Sequence, residues 1–420
     1  MVARTVRICT LAALCLFYAA AQDFHTYVGR IEERSVLLAW GTTTGTGNTI
    51  GRESGSHGKA SVSVGPQIRE TDKNWVVVDG LSPDTEYPYS VSLNGKTIAS
   101  STVRTYPEKT GKLAFFVMGD WGTGSTPQFQ VAERMQQEYS KHEGTDNPVR
   151  FVLAAGDNIY AKIPLLNSRS GDKDSHWRET FFLPYANLLA HIPFYPALGN
   201  HDGNQSESRG DLNVYLDNFF FPGDRPERWY RFSVGGLLDV FALDSTTNSF
   251  EGPPRPAYEI DGPQFQWAER ELSASHTPWK IVLMHHPPFT AGPRHEAKLT
   301  VLRHFVDLFS KSGVDVVFNG HEHNFQFSER NGATGGVQYV VSGAGGELRG
   351  RDVTSSLEEN HIAAFGNIHH FLLVEIEDAV MRITPIAPGA VPMKIADPQR
   401  RPVEVPLVVE KHANKVSHLP

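Results

Sequence analysis

Hydrophobic positions are spaced differently in the two parts of the chain. From about Phe24 to Thr105, short runs rich in Val, Leu and Trp alternate with stretches of Gly, Thr and Ser, a pattern typical of β-strands joined by loops. Strands are predicted at Ser35–Trp40 and Trp75–Asp79, and Asn94-Gly95 is a strong hairpin turn. The first part is therefore expected to be all-β.

The second part, from Lys112 onwards, alternates strand patterns with amphipathic helix patterns, which is typical of an α/β domain. A linker is predicted between the two parts, at Pro107–Gly111. Helices are predicted at Gln128–His142, Pro263–Ala274 and Ala297–Ser312. Strands are predicted at Lys112–Met118, Val149–Ala155, Trp279–Met284 and Val314–Phe318, and the remainder, including Gly336–Val341 and Phe371–Ile376, is expected to be mostly β.

The first 21 residues have the features of a secretory signal peptide. Arg4 and Arg7 precede a largely apolar run at Ile8–Tyr18, and three alanines end at Ala21. A lipoprotein signal is the less favoured alternative, because it needs a small residue before Cys15 and a leucine stands there. The apolar run is too short for a membrane span. We expect a secreted or periplasmic protein without a membrane anchor in its mature form.

Composition supports a packed chain of more than one domain. The 420 residues are 40% hydrophobic and 20% charged, which excludes a disordered or collagen-like chain. The formal net charge is −8 and no long basic run occurs, so no nucleic-acid partner is expected. We predict a signal peptide at residues 1–21, a β-sandwich at 22–106, a linker at 107–111, an α/β domain at 112–400 and a C-terminal tail at 401–420.

The β-rich part carries one recognisable pattern. Leu81-x-Pro83-x-Thr85-x-Tyr87, with Trp40 upstream, resembles the tyrosine corner and core tryptophan of a fibronectin type III domain. Nothing in this part resembles a catalytic constellation. We expect a spacer or docking surface, with a ligand-binding module as the less favoured alternative.

Polar residues follow four of these predicted strands and a fifth apolar segment, Phe194–Leu198, at the strand ends where open α/β sheets place their sites. Each motif is weak by itself, because the chain holds five Gly-Asp pairs and such pairs are common in turns. Their joint occurrence is informative. The five segments are Gly119-Asp120, Gly156-Asp157-Asn158-Ile159-Tyr160, Gly199-Asn200-His201-Asp202, His285-His286 and Gly320-His321-Glu322-His323.

This mixture of residue types indicates a metal site. Carboxylate oxygens together with imidazoles suit first-row transition metals rather than calcium or a cysteine-bound zinc. The five segments offer more ligands than one ion can use, and a carboxylate can bridge two ions through its two oxygens. The residues therefore predict a two-metal centre.

The five segments, in this order, resemble the sequence blocks of the calcineurin-like metallophosphoesterases, and Tyr160 narrows the resemblance to the purple acid phosphatases. The matched blocks run from about Leu113 to Gly346. The resemblance implies a four-layer α/β/β/α sandwich beside the separate N-terminal β domain. It also implies two ions, one Fe(III) and one divalent Fe, Zn or Mn.

The resemblance assigns a role to each ligand position. Asp157 would bridge the two ions. Asp120, Tyr160 and His323 would bind the ferric ion, and Asn200, His285 and His321 would bind the divalent ion.

Two further histidines, His201 and His295, would face the substrate phosphate as binding and catalytic groups. His286 is expected to be structural. Asp202 has two open interpretations, since it could orient His201 or cap a turn.

The implied activity is acid phosphatase: hydrolysis of small phosphate monoesters by a metal-bound hydroxide that attacks phosphorus in line with the leaving oxygen. Two alternatives remain open. A phosphodiesterase or nucleotide hydrolase of the same superfamily would keep the metals, and a non-enzymatic adhesion protein would use the β domain instead. The natural substrate and the oligomeric state do not follow from the sequence.

Overall fold

The computed structural model describes residues 24–43, 57–160, 177–202, 213–222, 228–246, 258–295, 297, 299–389 and 392–411. The predicted signal peptide lies outside the described residues, as does most of the two segments at 161–174 and 203–211 between the ligand motifs.

The described residues of the N-terminal β domain form seven strands: β1 (Phe24–Ile31), β2 (Ser35–Thr42), β3 (Ala60–Val64), β4 (Gln67–Thr71), β5 (Trp75–Asp79), β6 (Glu86–Leu93) and β7 (Lys96–Arg104). They pair in two antiparallel sheets with the orders β1-β2-β5 and β4-β3-β6-β7. In β3, alternate residues are buried in the core, as the period of two of a β-strand requires.

Tyr87 makes the hydrogen bond to an upstream backbone group that is expected of a tyrosine corner. The Tyr87 hydroxyl accepts a hydrogen bond of 2.9 Å from the backbone N–H of Ser82, and Trp40 is fully buried. The prediction of a separate all-β domain is confirmed. Its assignment to the fibronectin type III family stays a prediction.

The described residues of the second part contain the strands β8 (Lys112–Met118), β9 (Val149–Ala154), β10 (Phe194–Pro196), β11 (Tyr230–Val234), β12 (Leu238–Ala242), β13 (Trp279–Leu283), β14 (Val316–Asn319), β15 (Phe325–Ser328), β16 (Gln338–Ser342), β17 (Ile362–Gly366), β18 (Phe371–Glu377), β19 (Val380–Ile386), β20 (Ile395–Ala396) and β21 (Leu407–Glu410). These strands form two larger sheets, one in the order β10-β9-β8-β18-β19-β21 and one in the order β11-β12-β13-β14-β16-β15-β17-β20.

The described α-helices are α1 (Thr126–His142), α2 (Ala186–Leu189), α3 (Asn213–Asn218), α4 (Pro263–Ala274) and α5 (Leu299–Lys311). Ser125 caps α1 with its side chain, and proline stands in the first turn of α1 and α4, where no backbone N–H is needed. None of the described helices is both long and apolar enough to cross a membrane.

Alternate residues of one strand show how the layers are stacked. Ile281 and Leu283 of β13 belong to the core that both sheets share, whereas Val282 packs in a second core with Leu272 of α4 and Phe305 of α5. Strands buried on both faces have continuous apolar runs, as in residues 113–118 of β8 and 151–154 of β9. The predicted α/β/β/α architecture with a separate β domain is confirmed.

The two parts of the chain share one continuous hydrophobic core. The hydroxyl of Tyr27 donates to the carbonyl of Asn218 at 2.8 Å, and that of Tyr89 donates to the carbonyl of Ala190 at 2.8 Å. The ring of Phe182 lies 5.4 Å from that of Tyr27. The β domain therefore packs on Phe182, Ala190 and Asn218, which lie on either side of one of the ligand motifs in the sequence.

The structure adds two features to the sequence interpretation. β11 and β12 form a hairpin around the turn at Gly235-Gly236, which is not among the elements predicted from the sequence. β21 pairs with β19, although the sequence assigns residues 401–420 to a tail. Val409 of β21 is fully buried, so the structured chain continues past residue 400.

Candidate metal centre

All five ligand motifs lie at the carboxyl ends of strands. β8, β9 and β10 are parallel neighbours in one sheet, and β13 and β14 are parallel neighbours in the other. The carboxyl ends of parallel strands meet at one edge of a sheet, so each sheet delivers its motifs to a common edge. The site is thus assembled across both sheets.

The backbone is strained at three of the candidate ligands. Asp120, Asp157 and His321 have φ angles of 55°, 51° and 71°, in the left-handed region that non-glycine residues rarely adopt. Such conformations cost about 1–3 kcal/mol each and persist where the surrounding structure enforces them. They turn the chain sharply at the end of each strand, which brings the side chains together.

A glycine precedes each of these three ligands because residues of another ligand motif pack against that glycine. A Cβ atom on Gly156 would lie 2.4 Å from Nδ1 of His285, and one on Gly320 would lie 2.5 Å from Oδ2 of Asp120. Any larger residue would push the two sheets apart at the site. The Gly-Asp and Gly-His pairs are therefore packing requirements of the centre itself.

One group of ligand atoms surrounds the Tyr160 hydroxyl. This hydroxyl lies 3.1 Å from Oδ1 of Asp120, 2.9 Å from Oδ2 of Asp157 and 3.3 Å from Nε2 of His323. Nε2 of His323 also lies 3.2 Å from Oδ1 of Asp120. Asp120, Asp157 and His323 are buried.

A second group surrounds the side-chain oxygen of Asn200. This oxygen lies 3.0 Å from Nε2 of His285 and 2.9 Å from Nδ1 of His321, and the two nitrogens lie 3.2 Å apart. Nδ1 of His285 lies 2.8 Å from the carbonyl oxygen of Ala155, a suitable acceptor for its proton, which leaves Nε2 free for a metal.

Asp157 belongs to both groups. Its Oδ2 contacts Tyr160, whereas its Oδ1 lies 3.4 Å from Nε2 of His285 and accepts a bond of 2.8 Å from the backbone N–H of His201. One carboxylate thus presents one oxygen to each group, as a bridging ligand must. The donor sets fit a binuclear centre.

Charged groups lie close together in this site and shift the pKa values of its residues. Burial disfavours the imidazolium of His285, but the carboxylates of Asp157 and Asp120 outweigh it and raise its pKa to about 9. Burial would raise the pKa of Asp157, yet His285 and His201 hold it well below its usual range. Burial and the two carboxylates raise the pKa of the Tyr160 phenol well above 10. A cation among these groups would replace their shared protons.

The two histidines predicted to face phosphate lie beside these groups. The ring of His201 is 4.5 Å from that of Tyr160, on the side of the first group. The ring of His295 stacks on that of His321 at 3.9 Å, on the side of the second. The structure therefore brings together all nine residues that the sequence singles out.

Three residues next to the candidate ligands make hydrogen bonds that only the structure reveals. The Asp202 carboxylate accepts bonds from the backbone N–H groups of Gly199, Asn158 and Ile159, at 2.7, 2.6 and 3.2 Å, so it ties two ligand loops together in the manner of a turn cap. The Asn158 side chain donates to the carbonyl of Ala197 at 2.9 Å. His286, expected to be structural, has its Nδ1 3.0 Å from the hydroxyl of Ser245.

Glu322 is a further residue that the motif interpretation passes over. It lies between two candidate ligands, its side chain is fully buried and it contacts His295. Burial would raise the pKa of its carboxyl, but His295 and Arg349 lower it. Only the spacing of Gly-His-x-His could have pointed to this position, without indicating its partner.

The fold and these paired ligand groups are those of a metallophosphoesterase. Residues 113–325 match the family model described as calcineurin-like phosphoesterase, and the chain belongs to that family. The prediction of a hydrolase of the phosphatase class is confirmed.

Among curated proteins, the chain is similar to purple acid phosphatase 3 of Arabidopsis thaliana, with 28% identity over 66% of this chain and 75% of that protein. It is also similar to tartrate-resistant acid phosphatase type 5 of Oryctolagus cuniculus, with 28% identity over 66% of this chain and 87% of that protein.

Solved structures support the same fold. A structure of purple acid phosphatase PPD1 from seeds of yellow lupin, Lupinus luteus, superposes with a TM-score of 0.64 over 92% of this chain and 74% of that chain, at 14% identity. A structure of PhoD superposes with a TM-score of 0.65 over 91% of this chain and 92% of that chain, at 15% identity. These likenesses concern the fold alone.

Proposed function

We propose that this protein is an exported purple acid phosphatase that hydrolyses phosphate monoesters at a centre of Fe(III) and a divalent Fe, Zn or Mn ion. The observation that carries the proposal is the sharing of Asp157 between two ligand groups, one of which contains the Tyr160 hydroxyl. The curated relatives that bear the names of acid phosphatases support the same activity.

In this proposal, the first group holds the ferric ion through Asp120, Tyr160 and His323. Two oxygen donors that can carry negative charge suit Fe(III), whereas two imidazoles and a neutral amide suit a divalent ion held by Asn200, His285 and His321. Asp157 bridges them. When bound, the ions supply Lewis acidity toward the phosphoryl oxygens and activate water as the nucleophile.

His201 and His295 act on the substrate. Their imidazoles stand beside the first and the second ligand group, where each can donate a hydrogen bond to the phosphoryl oxygens. The His295 side chain is 26% exposed, so a leaving group can reach it from solvent. An imidazolium there can transfer a proton to the leaving oxygen.

Turnover and metal analysis test the proposal together. We expect the purified protein to contain iron plus one divalent metal and to hydrolyse para-nitrophenyl phosphate faster than its methyl diester. Preference for the diester would identify the alternative phosphodiesterase. A protein that binds no metal and hydrolyses neither ester would support the non-enzymatic alternative. Sequencing of the exported protein should give an N-terminus at residue 22, and retention of residues 1–21 would contradict the predicted signal.

A further inference from the structure

The carboxylate of Glu322 is the contact that holds His295. Its Oε2 accepts a bond of 2.9 Å from the backbone N–H of His295 and lies 3.2 Å from Nδ1 of the same residue. The side chain of Glu322 is fully buried, whereas 26% of the His295 side chain is exposed. A buried anion therefore stands directly behind a partly exposed imidazole.

Two polar atoms of this pair make no hydrogen bond to the described residues. They are Nδ1 of His295 and Oε1 of Glu322, and both are sealed from solvent. Leaving a buried polar group unpaired costs about 1–3 kcal/mol. Because Oε2 of Glu322 is the carboxylate oxygen 3.2 Å from Nδ1, donation of the Nδ1 proton to Glu322 would satisfy the histidine.

The surrounding chain fixes Glu322 but leaves His295 dependent on it. Glu322 lies between His321 and His323, so its backbone is tied to both ligand groups. The loop that leads to His295 is anchored by Gln326, which bonds Ala291 and Gly292, but these contacts end three residues short of His295. Stacking on His321 sets the plane of the His295 ring but not which of its nitrogens carries the proton.

We propose that Glu322 is a positioning residue that holds the His295 proton on Nδ1 and presents Nε2 to the substrate. The inference rests on the proposed phosphatase function, in which His295 contacts the phosphoryl group or the leaving oxygen. When the imidazolium transfers its Nε2 proton to that oxygen, the Nδ1 proton stays bonded to Glu322 and the ring becomes neutral. The tetrapeptide Gly320–His323 thus supplies two candidate metal ligands and the carboxylate that positions His295, the proton donor.

A double-mutant cycle tests whether Glu322 acts through His295. Glu322→Gln keeps the side-chain shape but loses the anionic acceptor, and we expect kcat to fall about 10- to 100-fold with little change in KM. In a His295→Asn background the same substitution should lower kcat less than about twofold, since its partner is gone. Glu329→Gln, which removes an exposed carboxylate in the same region, is the matched control and should change neither value.

Equal losses in both backgrounds would overturn the proposal, as would loss of metal from Glu322→Gln, because Glu322 would then act on the ligand histidines. Glu322→Asp covers the case in which the glutamine variant fails to fold, and it should recover part of the lost kcat.

A spectroscopic measurement separates this proposal from the proposed function. In the full-length chain with ¹⁵N-labelled histidine and bound zinc, the signal that His295→Asn removes should show a proton on Nδ1. Glu322→Gln should shift that signal toward mixed tautomers. An unchanged tautomer overturns the inference even if the protein is an active phosphatase. A protonated Nδ1 in a wild-type protein without turnover keeps the pairing and refutes the proposed function.

Discussion

His370 should make the protein lose stability in acid. Its ring is buried between Ser342, whose hydroxyl lies 3.1 Å from Nε2, and the carbonyl of Ile368, which accepts from Nδ1 at 2.9 Å. Burial lowers its pKa from 6.5 to about 4; the bond to the Ile368 carbonyl opposes this shift only in part, and the neighbouring His369 adds a smaller lowering. The substitution His370→Gln tests this prediction, because glutamine is polar, has a similar length and does not titrate.

The magnitude follows from the two pKa values. The unfolded chain binds a proton at this residue near pH 6.5, whereas the folded chain binds it only near pH 4. The stabilisation is therefore fully present above pH 6.5 and is lost as the pH falls toward 4. At about 1.4 kcal/mol per pKa unit, the loss is about 2 kcal/mol at pH 5 and about 3 kcal/mol at pH 4.

Urea unfolding followed by tryptophan fluorescence, at pH 7.5, 6 and 5, measures this loss. Other groups, including the metal ligands, also titrate, so the informative quantity is the difference in unfolding free energy between the wild type and His370→Gln. That difference should change by about 2 kcal/mol between pH 7.5 and pH 5. The exposed His276, changed to glutamine, provides a control whose difference should stay flat. Parallel pH curves for the wild type and His370→Gln would refute the reasoning.

Three predictions concern the proposed centre. Asp157→Asn removes one anion shared by both ligand groups, so metal content and turnover should fall together, and two ions with full activity would contradict the bridge. His201→Ala keeps the backbone bond to Asp157, so metal content should stay near normal while turnover falls about 100-fold or more; loss of both metals would make His201 a ligand. Tyr160→Phe should abolish a visible charge-transfer band of the oxidised protein, and an unchanged absorption spectrum would show that the hydroxyl is not bound to iron.

The ligand set could be predicted from the sequence because each motif is local. Asp120 and Asp157 each follow a glycine at the end of an apolar strand, and parallel strands bring such ends together regardless of the loops between them. Individual strands and helices can be predicted for the same reason, because burial of one face leaves hydrophobic residues at a regular spacing in the sequence. Pro263–Ala274 is a helix with the same bounds in both the sequence analysis and the structure.

The supporting contacts could not be predicted, because they join residues that are far apart in the chain. Asp202 bonds the backbone of Asn158, 44 positions earlier, and nothing near either residue indicates the other. Glu322 meets His295 only because β14 and the loop after β13 converge at one sheet edge. The β11–β12 hairpin is hard to predict for a different reason: its Gly-Gly turn is a recognisable signal, but each of its strands has only five residues.

The shared core between the β domain and the larger sheets bears on how this chain can change over evolutionary time. A domain that is only tethered can be exchanged between proteins without adjustment elsewhere. Here Tyr27 and Tyr89 are bonded to the backbone on either side of the segment that carries Asn200. Gly29 lies so close to Phe220 that a Cβ atom would be 2.7 Å from its ring. Substitutions on the two surfaces must therefore be matched, so the first domain cannot be exchanged for another without changes in the scaffold on which it packs.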